Sequence, residues 1–394
     1  MIKKFPIIRP NFVLSDAFSL LRKTKSEQIP DALSFTLKKI IPLEYLWLCN
    51  SGISAFYLVL EALKRISPRE EVIIPAYTAG SLVVAIKKAG LKPVLCDISL
   101  LDFNMDEGCL HKVISENTLA VVLVHMFGIP MQGIETLRQK IPPQVFLIED
   151  FCQAFGSRIK DKPLGVFGDV SFSSFNRGKN LCLLSGGVIF SNNLQLAEKL
   201  NQLFEQLKFE KSYDIENCLK ILLYQTATNP YFYALFCNLM KEFKQTTAPK
   251  DFEVARFAQQ KMKLAQAVIK RFDALCLERY RIGYFLLKGL SGISGIKLPS
   301  ISEDYFVVFN RLPTLFEDMD KLRQAKSKLW QVGFETSQMY EYTLDEMFHL
   351  NIGQEVLPNA YYLARHLLTL PIYPGLRKKD LEAIIATVKK ICCH

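Results

Sequence analysis

The chain has 394 residues, enough for a full hydrophobic core and for more than one domain. Its formal charge is +10, yet the lysines and arginines are scattered, with only short clusters such as Arg377-Lys378-Lys379. Without a zinc-finger, helix-turn-helix or RNP-like pattern, nucleic acid is the minor reading of that charge, and phosphorylated small molecules fit it equally well.

No apolar run approaches the roughly 18–20 residues of a membrane span. The start, MIKKFPIIRPNF, is too broken by proline and charge for a signal peptide. Ten cysteines spread through apolar segments suit small buried hydrophobes in a reducing cytoplasm, the expected location. The terminal Cys392-Cys393-His394 lacks the spacing of a zinc site, and no metal is expected.

Between about residues 45 and 195, short β-rich runs alternate with helical spacing. The runs are 45–49, 71–75, 93–98, 119–124, 145–149, 170–175 and 187–191, with helices predicted over 54–64 and 81–88. Alternation of this kind predicts an α/β domain with a mostly parallel central sheet, whose ligands sit beyond the carboxyl ends of the strands. Residues 216–243 are unusual: two apolar half-segments flank Asn229-Pro230, and Tyr224, Tyr231, Phe232, Tyr233 and Phe236 crowd around them. One reading is a weak peripheral membrane contact. The preferred one is a helical hairpin packed on the core or in a dimer interface, because aromatic-rich helices are usually buried. Residues 255–290 then predict one long amphipathic helix, with Leu264, Val268, Phe272 and Leu275 at helical spacing. A strand over 305–309, a helix near 316–331 and a last helix from about 378 complete a smaller α+β part. The expected division is 1–250 for the large domain, carrying the 216–243 insertion, and 251–394 for the linking helix and small domain.

The chemistry concentrates in two stretches. VFLIEDFCQAFGS ends an apolar strand in Glu149-Asp150, and SFNRGKNL sets Lys179 in a small-residue turn after another apolar run. A strand-end acid and a loop lysine are what pyridoxal 5'-phosphate (PLP) chemistry requires. The lysine forms a Schiff base, and the acid pairs with the pyridine nitrogen so that the ring accepts electrons. The bland alternatives are a solvated lysine for Lys179 and a helix N-cap for Asp150.

The same motifs, in order, resemble the DegT/DnrJ/EryC1/StrS family of PLP-dependent sugar aminotransferases, a branch of the fold-type-I aminotransferases. NSGISAF (50–56), EVIIPAYT (71–78), VHMFGIP (124–130), EDFCQAFGS (149–157), SFNRGKNL (174–181) and LTLPIYPGL (368–376) carry the resemblance over some 330 residues. It implies that Lys179 holds the cofactor and moves protons, that Asp150 faces the pyridine nitrogen, and that Gln153 contacts the phenolic oxygen. Ser174 and the backbone amides of Gly52, Ile53 and Ser54 would bind the phosphate. His125 reads as structural, and Tyr340 as a substrate-side aromatic or a core residue.

Several positions depart from the family pattern. Ile53 stands where threonine is usual, Ala79 where an aromatic stacks on the ring (Tyr77 being the substitute), and Ser185 in a Gly-Glu-Gly-Gly block. Val254 and Arg256 fall where a neighbouring subunit often offers an Asn before an Arg. The implied activity is transfer of an amino group from an amino acid, glutamate by family habit, to a nucleotide-linked keto sugar by a homodimer. Two other readings stay open: a PLP-fold binding or regulatory protein, favoured by the departures, and another PLP-dependent sugar-modifying enzyme.

Overall fold

The computed structural model describes residues 3–21, 29–240 and 250–393. A seven-stranded sheet forms its centre, built from β1 (Tyr45–Cys49), β2 (Glu71–Pro75), β3 (Lys92–Cys96), β4 (Thr118–Val124), β5 (Phe146–Asp150), β8 (Val170–Ser174) and β9 (Gly187–Ser191). Their order is β1-β9-β8-β5-β4-β2-β3. Every pairing from β8 to β3 is parallel, while β9 runs antiparallel to both β8 and β1.

The sheet is covered on both faces, which is why its strands read as unbroken apolar runs. Val72, Ile74, Ala120 and Val122 enter one core layer, and Ile73, Val121 and Leu123 the other, as the two-residue period of a strand requires. The crossovers carry α3 (Gly52–Lys64), α4 (Ser81–Lys88), α5 (Glu107–Val113) and α6 (Ile134–Lys140). Two short strands, β6 (Arg158–Ile159) and β7 (Lys162–Pro163), extend a ribbon that β11 (Tyr305–Phe306) completes.

The C-terminal part is a three-stranded antiparallel sheet of β10 (Ile296–Lys297), β12 (Arg311–Phe316) and β13 (Leu367–Pro371). The helices α12 (Met319–Gln331), α13 (Leu344–Phe348), α14 (Pro358–His366) and α15 (Lys378–Cys392) accompany it. Cys392 is buried and Cys393 exposed, while His394 lies outside the described residues. Among the described residues, no group of three His, Cys, Asp or Glu side chains could hold a metal, and no helix is long and apolar enough to cross a membrane.

Two sequence expectations need correction. The single helix over 255–290 is two, α10 (Gln259–Ile269) and α11 (Phe272–Leu290), separated by Lys270 and Arg271. Arg271 takes φ −116° and ψ 12°, and its guanidinium donates to the buried carboxylate of Asp16. Apolar spacing runs on across so short a break, so periodicity could not reveal it. The strand expected over 305–309 is only Tyr305–Phe306, and the longer strand follows at Arg311. Val308 is fully buried, but its N–H donates to Ser157 Oγ and its carbonyl accepts from Asn180 Nδ2, so side chains take the place of a ladder.

Residues 216–240 form α8 (Asp214–Ala227) and α9 (Pro230–Met240), preceded in the chain by α7 (Leu194–Glu205). Residues 241–243 of the expected hairpin, and the side chain of Phe236, lie outside the described residues. Tyr233 and Ile221 are buried, but Leu219, Leu223 and Leu235 face outward.

Candidate active site

Because β1 is parallel to β8 and the crossovers return each strand in the same sense, several strand ends open on one edge of the sheet. Asn50-Ser51-Gly52 follows β1, His125 follows β4, Asp150 ends β5, and Ser174 ends β8 five residues before Lys179. The sequence candidates therefore meet at one place, although nearly 130 residues separate Gly52 from Lys179.

Adjacent residues on a strand point to opposite faces, and this separates the two acids. Glu149 is fully buried and structural: its carboxylate accepts from the amides of Gly165 (2.5 Å) and Phe167 (2.7 Å) and lies 3.0 Å from His125 Nε2. His125 Nδ1 accepts from the Met131 amide at 3.0 Å, so the proton sits on Nε2 and is donated to Glu149. Asp150 turns the other way. Its Oδ1 accepts from the Cys152 amide at 2.9 Å, and it has no ion-pair partner among the described residues. Burial pushes its pKa up, and the positive charge of Lys179 opposes that only in part. A buried carboxylate lacking a counter-ion is costly, and a pyridinium N–H is the partner it suits.

Gln153 is buried, with Oε1 accepting from the Phe127 amide at 3.1 Å. Among the described residues its Nε2 has only the Met126 thioether, at 3.5 Å, a weak acceptor that leaves the amide available to a phenolic oxygen. Phe127 is itself in the left-handed region at φ 60°, held by Gln153 on one side and by Asn310, whose N–H donates to the Phe127 carbonyl, on the other.

The phosphate end is built by close backbone approach. A Cβ on Gly52 would lie 2.6 Å from Ser174 Cβ, and one on Gly187 would lie 2.2 Å from the Ser51 carbonyl oxygen. Glycine at both positions lets the start of α3 press against Ser174 and the Gly186-Gly187 turn. Ser51 caps α3 by accepting from the Ser54 amide at 3.2 Å, and Ser54 Oγ donates to the Glu253 carbonyl. Ser54 therefore serves the cap, and the amides of Gly52 and Ile53 remain as the anion-facing pair at the helix N-terminus. Gly52→Ala is expected to weaken PLP binding by about tenfold or more and to cost about 1–3 kcal/mol of stability. A PLP titration and a melting curve read the two effects.

The lysine loop is held by residues that sequence reasoning did not single out. Asn180 Nδ2 reaches the carbonyls of Gln153 (3.1 Å) and Val308 (2.8 Å), and Asn310 Nδ2 donates to the Gly178 carbonyl at 2.6 Å. Gly178, at φ 79°, packs directly over Ile8. Their only sequence signals were the Asn after Lys179 and the Asn ending FVVFN. Arg311 was missed as well: it is buried, donates to Ser337 Oγ at 3.2 Å, and leaves Nε without a partner. The charges of Arg311 and Asp150 both act on the buried Tyr340, which puts the three in one neighbourhood.

The departures resolve individually. Tyr77 is fully buried, edge-on to Tyr340 at 5.4 Å, with its hydroxyl donating to the Gln338 carbonyl at 2.9 Å. It thus positions the 338–340 segment and has no exposed face to stack on a ring. Ser185 completes a half-buried cluster with the buried Lys261, whose ammonium meets both oxygens of Glu210 at 2.9 Å. Arg256 is committed to its own chain, donating through Nε to the Phe204 carbonyl at 2.8 Å.

The open α/β sheet and the smaller C-terminal sheet have the fold of the fold-type-I PLP-dependent transferases. A sugar aminotransferase of solved structure from Micromonospora echinospora, CalS13, superposes with a TM-score of 0.76 at 20% identity, covering 99% of this chain and all of that one, and bears out the fold. The model of the DegT/DnrJ/EryC1/StrS aminotransferase family matches residues 35–217 of the chain. Among relatives, UDP-N-acetyl-3-dehydro-alpha-D-glucosamine 3-aminotransferase of Acidithiobacillus ferrooxidans is 26% identical over 347 residues, 87% of this chain and 83% of its own. dTDP-3-amino-3,4,6-trideoxy-alpha-D-glucose transaminase of Streptomyces venezuelae is 27% identical over 350 residues, 86% and 81% of the two. PLP is the cofactor of the family, and the residues of this site fit it.

Proposed function

We propose that this chain transfers an amino group from an amino acid, glutamate by expectation, to a keto sugar carried on a nucleotide, in the making of amino sugars. The observation that carries the reading is the buried Asp150 carboxylate, without an ion-pair partner among the described residues, at a strand end whose pKa feels the charge of Lys179. The names of both relatives specify nucleotide-linked sugars, one on UDP and one on dTDP.

Lys179, Asp150, Gln153, Ser174 and the amides of Gly52 and Ile53 would hold PLP. When bound, PLP supplies an electron sink for the carbon that exchanges its amine. Asp150 keeps a proton on the pyridine nitrogen, which strengthens that sink and relieves its own burial. The Lys179 amine, once free, takes the proton from the donor's Cα and returns one to the sugar carbon. Arg311, a buried cation with a spare N–H beside Tyr340, suits a carboxylate or phosphate of an incoming substrate.

The proposal treats the chain as two domains, the second beginning within α11 and supplying Asn310, Arg311 and Tyr340. This moves the division from the expected residue 250, because α10 packs on α1 (Leu14–Leu21) and α2 (Ile29–Ile40) beside the large sheet. It also includes a homodimer, a cytoplasmic location and a weak peripheral membrane contact through 216–243.

The test is an absorbance spectrum of the PLP-loaded protein with and without glutamate, followed by mass analysis of UDP- and dTDP-linked keto sugars incubated with both. A visible band that bleaches with glutamate, and a product carrying nitrogen in place of the keto oxygen, are expected. A band that no amino acid bleaches would replace aminotransfer with another PLP reaction.

A further inference from the structure

Two helices wear their apolar stripes on the outside. On α1 (Leu14–Leu21) the buried side chains are Asp16, Ala17 and Leu20, and Asp16 is ion-paired to Arg271. Leu14, Phe18 and Leu21, at spacings of four and three, point outward, with Phe18 61% exposed. On α8, packed beside it, the buried residues are Asn217 and Ile221. Ile215, Leu219 and Leu223, each four apart, face solvent, with Ile215 69% exposed. The start of α9 adds Tyr231, Phe232 and Leu235. A stripe at this spacing normally faces a core. Here the polar Asn217 and Asp16 point inward beside Ala17, Leu20 and Ile221, and the apolar outer face has no cover among the described residues.

The charges around the face identify what covers it. Lys3 Nζ lies 4.7 Å from the ring centroid of Tyr231 on α9. The Arg177 guanidinium lies 5.2 Å from the Tyr224 ring on α8. On α8 itself, Lys220 and Glu216 pair and cancel. A two-fold contact with a second copy would set this cationic rim against itself. A surface of anionic headgroups over acyl chains complements both the rim and the apolar stripe, and tyrosines suit the level between them.

We propose that the outward face of α1, α8 and α9 docks the protein on an anionic lipid bilayer. This goes beyond the weak contact of 216–243: it adds α1 and the cation rim, and it does not depend on which sugar is aminated. Arg177 is two residues from Lys179, so docking brings the lysine loop to the headgroup level.

The test is co-sedimentation of the full-length PLP-loaded protein with vesicles of phosphatidylglycerol and phosphatidylcholine, against vesicles of phosphatidylcholine alone. Binding to the anionic vesicles, weakened by salt, is expected. The double variant Phe18→Glu/Leu223→Glu should lose about tenfold or more of that binding. Its aminotransfer to a soluble substrate should stay unchanged. Lys3→Glu should weaken the preference for anionic lipid. In a separate protein, Leu223→Trp should be quenched by brominated lipid, and this arm decides alone if the double variant does not fold. Absence of vesicle binding, binding that the double variant retains, or a tryptophan that brominated lipid does not quench would overturn the proposal. So would light scattering in which Phe18→Glu/Leu223→Glu turns a dimer into a monomer, which would assign the face to a second copy.

Discussion

Lys179→Ala is expected to abolish aminotransfer, lowering kcat by about four orders of magnitude or more, while the protein keeps its fold. The side chain is half-exposed, and its ammonium makes no hydrogen bond or ion pair among the described residues, so removing it leaves no buried group unsatisfied. The loop does not depend on it either: Asn180 and Asn310 hold the backbone on both sides of position 179. The measurement is steady-state turnover with glutamate, beside a melting curve. A melting temperature equal to wild type with activity lost places the lysine in the chemistry. Partial rescue by a small added amine is expected as well, because the missing function is proton transfer at a vacated position. A variant that turns over at near wild-type rate would remove Lys179 from the mechanism.

Asp150→Asn should separate stability from function. In the PLP-free protein, burial raises the Asp150 pKa above its unfolded value of about 3.9. A carboxyl raised in this way favours folding when protonated. That contribution is full below the unfolded pKa and is lost as pH rises through the folded one. At neutral pH the ionised, unpaired carboxylate therefore works against the PLP-free fold, and the asparagine variant should melt no lower than wild type. Wild type should also gain stability as pH falls toward the folded pKa, and the variant should lack this slope. With PLP added the order reverses, since only the aspartate gains a cationic partner. Turnover of the variant should fall by about 100- to 1,000-fold, the scale of removing one preorganised electrostatic contact in a closed site. Melting curves across pH, with and without PLP, test the sign. A variant less stable than wild type at neutral pH without PLP would mean that the ionised Asp150 carboxylate is already compensated by the protein.

Much of the site was legible in the sequence because its chemistry is local. An acid at the end of an apolar run can be recognised without knowing the fold, as can a lysine in the turn after another such run. Asp150, Gln153, Ser174 and Lys179 stand on one sheet edge because parallel strands bring their carboxyl ends together, and the alternation of strands and helices announced that edge. Ser54 was the weakest assignment: a phosphate turn and a capped helix share the same residues, and the hydrogen bonds of Ser54 assign it to the cap. The departures looked like losses until each showed its own partner, Tyr77 with Tyr340 and Ser185 with Lys261.

By itself the sequence determined the alternation of strands and helices through the large sheet and the candidate residues for a PLP site, because periodicity and motif are properties of neighbouring residues. Only the tertiary structure decided how those residues are held. Asn310 and Val308 reach the lysine loop from about 130 positions away, and nothing in a linear pattern reports such an approach. It alone decided the break at Lys270-Arg271, where a guanidinium turns to a buried carboxylate on α1. It also decided which way the stripes of α1 and α8 face. Helical spacing says that a helix has an apolar side, but the side that meets the protein is chosen by its buried partners, here Asp16 with Arg271 and Asn217 with Ser212, and these turn the apolar side outward.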